Sequence, residues 1–201
     1  MNRVQAGLFP LLLAVPGMVW CAGPDLLSEQ CSACHGAQGV STEADVPTIA
    51  GQSAGYIAGS LRSFRDYERS CPRSAYRHGD TSRPATTMCE IAAAISDEDI
   101  DALGAYYSEQ VFVSASQSFS QELVAAGEEL YVENCMSCHP QGGSVAERGP
   151  ILAGQWTPYL RHAMDQAMSG EHLVPPFMEQ SLLDLSEQQI DALLSFFASR
   201  Q

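Results

Sequence analysis

Cys31-Ser32-Ala33-Cys34-His35 recurs, at an offset of 104, as Cys135-Met136-Ser137-Cys138-His139. The residues downstream of each copy recur as well. Pro47, Ala50, Gly51, Gln52 and Tyr56 return as Pro150, Ala153, Gly154, Gln155 and Tyr159, at an offset of 103. Met88, Ser96, Ile100, Asp101, Ala102 and Leu103 return as Met178, Ser186, Ile190, Asp191, Ala192 and Leu193, at an offset of 90, and the pairs Tyr106-Tyr107 and Phe196-Phe197 close the two copies. The drop from 103 to 90 places 13 additional residues between Tyr56 and Met88 of the first copy. Solenoid units repeat every ~20–50 residues, so a period this long marks a duplicated domain.

Each copy reads as helical. Ser96 and Ser186 stand where a helix N-cap is expected, with Glu98 and Asp99 in the first turn after Ser96. Ile100, Leu103 and Tyr107 then fall on one helical face, as do Ile190, Leu193 and Phe197. Gln121 to Tyr131 reads as a helix entering the second cysteine pair, the stretch after each His as loop, and Val111 to Gln121, rich in Ser, as a linker; no clear strand is expected. The expected division is residues 24–112 and 113–201, preceded by a signal peptide at 1–23. In that segment Asn2 and Arg3 precede an apolar run, Leu8 to Trp20, which is too short and too broken by Pro10 and Pro16 to read as a membrane span. The mature protein is then expected in the periplasm, with membrane association only through an uncleaved N-terminal segment.

The formal net charge is −14, there is no Lys, and the acidity is spread over both copies. Such a surface repels phosphate, which excludes nucleic acid as a partner, and it attracts a basic protein. One stretch departs from it: Arg62 to Arg83, spanning the additional residues, holds six arginines.

C-x-x-C-H is the attachment signature of a c-type haem. Two thiols at this spacing reach the two vinyl groups along one porphyrin edge, and the adjoining His lies under the ring, where it binds iron. A zinc ribbon needs its cysteine pairs ~15–20 residues apart, a thioredoxin-type pair needs a βαβ context, and two plain disulfides leave both histidines unexplained. Two haem c groups are therefore expected, held by Cys31, Cys34, Cys135 and Cys138, with His35 and His139 as iron ligands. Met88 and Met178 occupy one slot of the repeat and are the candidate sixth ligands; a filled coordination sphere exchanges electrons and binds no substrate. Pro47 and Pro150 are candidate carbonyls to receive the second ring N–H of each His.

Cys71 and Cys89 are the two remaining cysteines after residue 23, and two readings stand for them: a disulfide with each other, or Cys89 as a haem thiolate ligand. His78, His162 and His172 have no counterpart in the repeat and read as surface or helix residues, while Trp156 and Tyr159 read as packing around the second haem.

The succession C-x-x-C-H, P-x-I/L-A-G-Q-x-x-x-Y, Met, then L/I-S-x-x-x-I-D-A-L resembles tandem class I cytochrome c domains and is similar to the diheme cytochrome c4 family over nearly all of residues 24–201. Gly149 to Leu160 also resembles the haem subunit of flavocytochrome c sulfide dehydrogenase. The resemblance implies an all-α fold of two domains, each wrapped around one covalent haem, with the haems close enough to exchange electrons. It also implies an electron-transfer protein that is not an enzyme on its own. Its partners would be a flavoprotein dehydrogenase subunit, a respiratory complex or a terminal oxidase. The alternative is a diheme enzyme, either a peroxidase or a thiosulfate dehydrogenase with Cys89 as haem ligand. The arginine-rich insertion departs from the family pattern beside Met88.

Overall fold

The computed structural model describes residues 24–200, so the signal segment expected at 1–23 lies outside the described residues. The first half consists of α1 (Pro24–His35), α2 (Ala54–Arg65), α3 (Met88–Ala93) and α4 (Asp97–Ser108). The second consists of α5 (Val124–Asn134), a single turn α6 (Pro140–Gly143), α7 (Thr157–Met168), α8 (Pro176–Leu183) and α9 (Glu187–Ala198). Among the described residues the β-pairing consists of the isolated bridges Arg69–His172 and Ser74–Thr86.

Local chemistry starts these helices where the repeat places them. The Ser96 hydroxyl accepts from the Asp99 N–H, and the Ser186 hydroxyl from the Gln189 N–H, whose own side chain closes a capping box. Ser53 caps α2 through the Tyr56 N–H, and Thr87 with Glu90 forms a second capping box on α3.

Each half buries its own core. In the first, Ile57 and Leu61 of α2 meet Ile100, Leu103 and Tyr107 of α4. In the second, Leu160 and Met164 of α7 and Leu182 of α8 surround Ile190, Leu193, Phe196 and Phe197 of α9. Tyr131 on α5 stacks on Phe196 with ring centroids 5.1 Å apart. A side chain of this size contributes about 1.5–3 kcal/mol on full burial, so the paired aromatics that end α9 anchor the half.

The loops after the two haem motifs share a hydrogen-bond pattern. The Gly39 carbonyl accepts from the N–H groups of Ile49 and Ala50, as the Gly143 carbonyl does from Leu152 and Ala153. Gly51 N–H donates to the Tyr107 carbonyl and Gly154 N–H to that of Phe197, each at 2.9 Å. The expected linker has no regular secondary structure over 111–120 but is not free. Ala115 is buried and its N–H donates to the Gly154 carbonyl at 2.7 Å. Gln117 bridges Gln155 and Thr157.

The connection between α2 and α3, residues 66–87, which contains the insertion, straps two places at once. Arg77 and His78 donate their backbone N–H groups to the Ala33 carbonyl inside the first Cys-x-x-Cys, at 2.8 and 3.0 Å. Ser70 N–H donates to the Glu171 carbonyl and Leu173 N–H to that of Glu68, tying the strap to the second half. None of its arginines but Arg69 is buried.

Candidate haem sites

α1 carries the first motif at its C-terminal end, so Cys31, Cys34 and His35 lie on consecutive turns of one helix. The second motif comes after α5 in a further helical turn, where the N–H groups of Cys138 and His139 return to the Cys135 carbonyl. His35 Nδ1 lies 2.9 Å from the Pro47 carbonyl oxygen, and His139 Nδ1 lies 3.0 Å from that of Pro150. A carbonyl oxygen can only accept, so Nδ1 carries the proton in both rings and Nε2 presents its lone pair. Burial lowers the pKa of both imidazoles, which keeps the rings neutral. Gly149 is packed against the His139 ring so closely that a Cβ would lie 2.5 Å from Cε1.

The four motif cysteines are not in disulfides. Cys31 and Met88 pack against the core of the first half, and Cys135 and Met178 against that of the second. Met88 is the first residue of α3 and Met178 the third of α8, so each lies in the opening turn of its helix. Cys71 and Cys89 are joined by a disulfide, with Cα atoms 5.8 Å apart and Cys89 almost fully buried. A sulfur bonded this way offers no thiolate to a metal.

A haem c fits these residues. Each half provides paired thiols, an oriented neutral imidazole with a free nitrogen, and a partly buried thioether. Arg69 adds a further sign. It is 6% exposed and forms no ion pair among the described residues. Its Nε has no hydrogen-bond partner; Nη2 donates to the Tyr159 hydroxyl at 3.1 Å, and the guanidinium lies over the Phe64 ring. A buried cation without a counter-ion is costly, and the propionates of a bound haem would supply that charge.

The contact between the halves extends one expectation and corrects another. Tyr159 packs against the core of the second half as expected, and both Trp156 and Tyr159 also reach the first half. Trp156 Nε1 donates to the Ser41 carbonyl at 3.0 Å, the Tyr159 N–H donates to that of Ala44, and the Tyr159 hydroxyl receives Arg69. His172 is likewise no ordinary surface residue, because it pairs with Arg69 across the interface. His162 is exposed on α7. Gln52 and Gln155, visible in the sequence as repeated letters, are the site residues that motif reading passes over. Each is 2% exposed and crosses to the other half, Gln52 to the backbone of Ile151 and Gln155 to the backbone of Thr48. The signal that could have found them is a repeated, uncharged polar residue inside an otherwise apolar run.

The family described as cytochrome c matches residues 22–109, and that described as cytochrome c oxidase, cbb3-type, subunit III, matches residues 122–197. Cytochrome c-554(548) of Halomonas halodenitrificans is 37% identical over 44% of this chain and 93% of its own length. Cytochrome c4 of Pseudomonas aeruginosa is 26% identical over 98% of both chains. A thiosulfate dehydrogenase electron acceptor of Thiomonas intermedia is 27% identical over 100% of this chain and 92% of its own. Reduced recombinant cytochrome c4 from Pseudomonas stutzeri shares the fold, with a TM-score of 0.69 at 23% identity over 90% of this chain and 100% of that one. With two repeated haem motifs on two helical cores, a cytochrome-type family model matching each half and full-length similarity to diheme cytochromes c4, the chain is a diheme cytochrome c4-like electron-transfer protein whose two halves imply two covalent haem c groups.

Proposed function

We propose that this chain is a periplasmic one-electron carrier, with residues 24–112 and 113–201 as its two haem domains. It takes electrons from a dehydrogenase that oxidises a reduced sulfur compound and passes them to a respiratory complex or terminal oxidase. Each bound haem supplies one-electron chemistry at its iron. The residues of the chain set the conditions. Cys31 with Cys34, and Cys135 with Cys138, anchor the groups covalently. His35 and His139 present Nε2, held in orientation by the carbonyls of Pro47 and Pro150. Met88 and Met178 would supply the second protein ligand to each iron, an arrangement that would keep substrates off the metal and favour a raised potential. Arg69 would balance haem propionate charge, and the Cys71–Cys89 disulfide ties the insertion to the start of α3 beside Met88.

The observation that carries this reading is the doubling of one arrangement, His to prolyl carbonyl, on either side of a hydrogen-bonded interface. Two like sites in one body suit storage and relay of electrons rather than turnover of a substrate. The choice of a sulfur-oxidising donor is supported by the full-length likeness to a thiosulfate dehydrogenase electron acceptor. A second reading, haem subunit of a flavocytochrome c sulfide dehydrogenase-like complex, is favoured by the segment Gly149 to Leu160.

Stopped-flow mixing separates the readings. The oxidised protein is expected to be reduced rapidly by catalytic amounts of thiosulfate dehydrogenase with thiosulfate. Reduction only by a sulfide-oxidising flavoprotein, in a complex that survives gel filtration, selects the subunit reading. If neither enzyme reduces it faster than its substrate alone, the sulfur-donor assignment fails.

A further inference from the structure

Gln155 and Gln52 do more than tie the halves together. Gln155 Oε1 accepts from the Thr48 N–H at 3.0 Å, and its Nε2 donates to the Thr48 carbonyl at 2.9 Å. Gln52 Oε1 accepts from the Ile151 N–H at 2.8 Å, and its Nε2 faces the Ile151 carbonyl at 3.4 Å. The N–H of Thr48 belongs to the same peptide group as the carbonyl of Pro47, which receives His35 Nδ1–H. The N–H of Ile151 shares its peptide group with the carbonyl of Pro150, which receives His139 Nδ1–H. Each imidazole is thus the end of a three-member series: histidine, peptide group, glutamine of the opposite half.

A peptide group is conjugated, so polarising its N–H raises the electron density on its oxygen. Bonds in series strengthen one another by roughly 10–30% each. A stronger carbonyl acceptor pulls harder on Nδ1–H and makes Nε2 a better donor to iron. A more basic histidine stabilises ferric over ferrous iron and lowers the potential.

We propose that Gln155 tunes the reduction potential of the first haem and Gln52 that of the second, each as a positioning residue acting across the domain interface through one peptide group. The proposal rests on His35 and His139 being the proximal ligands. Each glutamine acts on the haem of the half it does not belong to, and this crossing gives the idea its signature. The two relays are also unequal. Gln155 Oε1 divides its accepting capacity between Thr48 N–H and the Trp156 N–H at 3.2 Å, while Gln52 Oε1 serves Ile151 at the shorter 2.8 Å. The second haem is therefore pulled toward the lower potential of the pair by this contact.

The test uses the full holoprotein and the shape-conserving variants Gln155→Met and Gln52→Met. Potentials are read haem by haem in a redox titration followed by proton NMR of the axial methionine methyl signals, which Met88→Ala assigns to one haem or the other. Gln155→Met is expected to raise the potential of the first haem and leave the second nearly in place, moving the shared electron toward the first haem by about two- to fourfold. Gln52→Met is expected to do the reverse, and it tests the mirror contact by itself should the other variant fold poorly. Amide hydrogen exchange is the readout independent of the iron: Thr48 loses protection in Gln155→Met, and Ile151 in Gln52→Met. Equal shifts of both haems in either variant, a shift confined to the glutamine's own domain, or no shift would overturn the proposal. His35→Gly separates it from the reading beneath: an unchanged low-spin spectrum of the first haem in that variant removes the ligation itself, and the tuning with it.

Discussion

At the scale of single residues, the decisive atoms are two imidazole nitrogens. Nδ1 of His35 and of His139 is committed to a carbonyl, so Nε2 is the atom left for iron. Met88 and Met178, set in equivalent opening turns of α3 and α8, are the proposed opposite ligands. The oxidised protein is expected to show the weak near-infrared band of methionine-bound ferric haem. Met88→Ala should remove the first haem's share and Met178→Ala the second's, and a full band in the double variant would contradict both assignments. The histidines and their prolines were legible because they are near in sequence and fixed by a motif. The partners of Gln52 and Gln155 were not, because a contact between residues 99 or 107 positions apart leaves no local trace. Arg69 illustrates the same limit: six arginines in one stretch read alike, and only packing separates the buried one from the rest.

At the scale of elements, two features carry most of the stability that can be tested. α5 and α9 cross at Gly127, where a Cβ would lie 2.0 Å from the Ala192 carbonyl oxygen. Gly127→Val must push the helices apart, and overpacking of this kind costs about 1–3 kcal/mol or more; chemical denaturation is expected to show the loss with the haem content intact. The second feature is the Cys71–Cys89 bond, which closes a sequence separation of 18 residues. In the chain-entropy view a loop of this size is stabilised by roughly 3 kcal/mol. Non-reducing digestion should give a peptide pair joined through these cysteines, and labelling of both thiols in the native oxidised protein would contradict it. Helix starts were readable at this scale, since Ser96 and Ser186 cap α4 and α9 as their spacing suggested. The ends of the insertion were not readable as a strap, because what it ties down, Ala33 on one side and Glu171 on the other, is distant in the chain.

At the scale of the whole molecule, the interface and the net charge govern behaviour. His172, half-buried between the halves, has its pKa lowered to about 4, first by burial and then by the charge of Arg69. The unfolded chain takes up this proton as pH falls below the ordinary 6.5, and the folded chain does not until about 4. Stability contributed by the neutral ring is therefore present above pH 6.5 and is lost as pH drops through that window. Thermal unfolding of His172→Gln should depend less on pH between those limits than that of the parent; an identical dependence would remove His172 as the cause. The charge of −14 sets the kinetics of encounter. Electron transfer with a basic partner is expected to slow as salt is added, since screening weakens long-range attraction. The central claim is that one chain holds two haems covalently through its repeated motifs, and intact-mass spectrometry tests it most directly. The protein is expected to carry the mass of two haems after acid–acetone treatment, and Cys31→Ala with Cys34→Ala to carry one. Haem released by the acid treatment, or two haems retained in the double variant, would contradict the account.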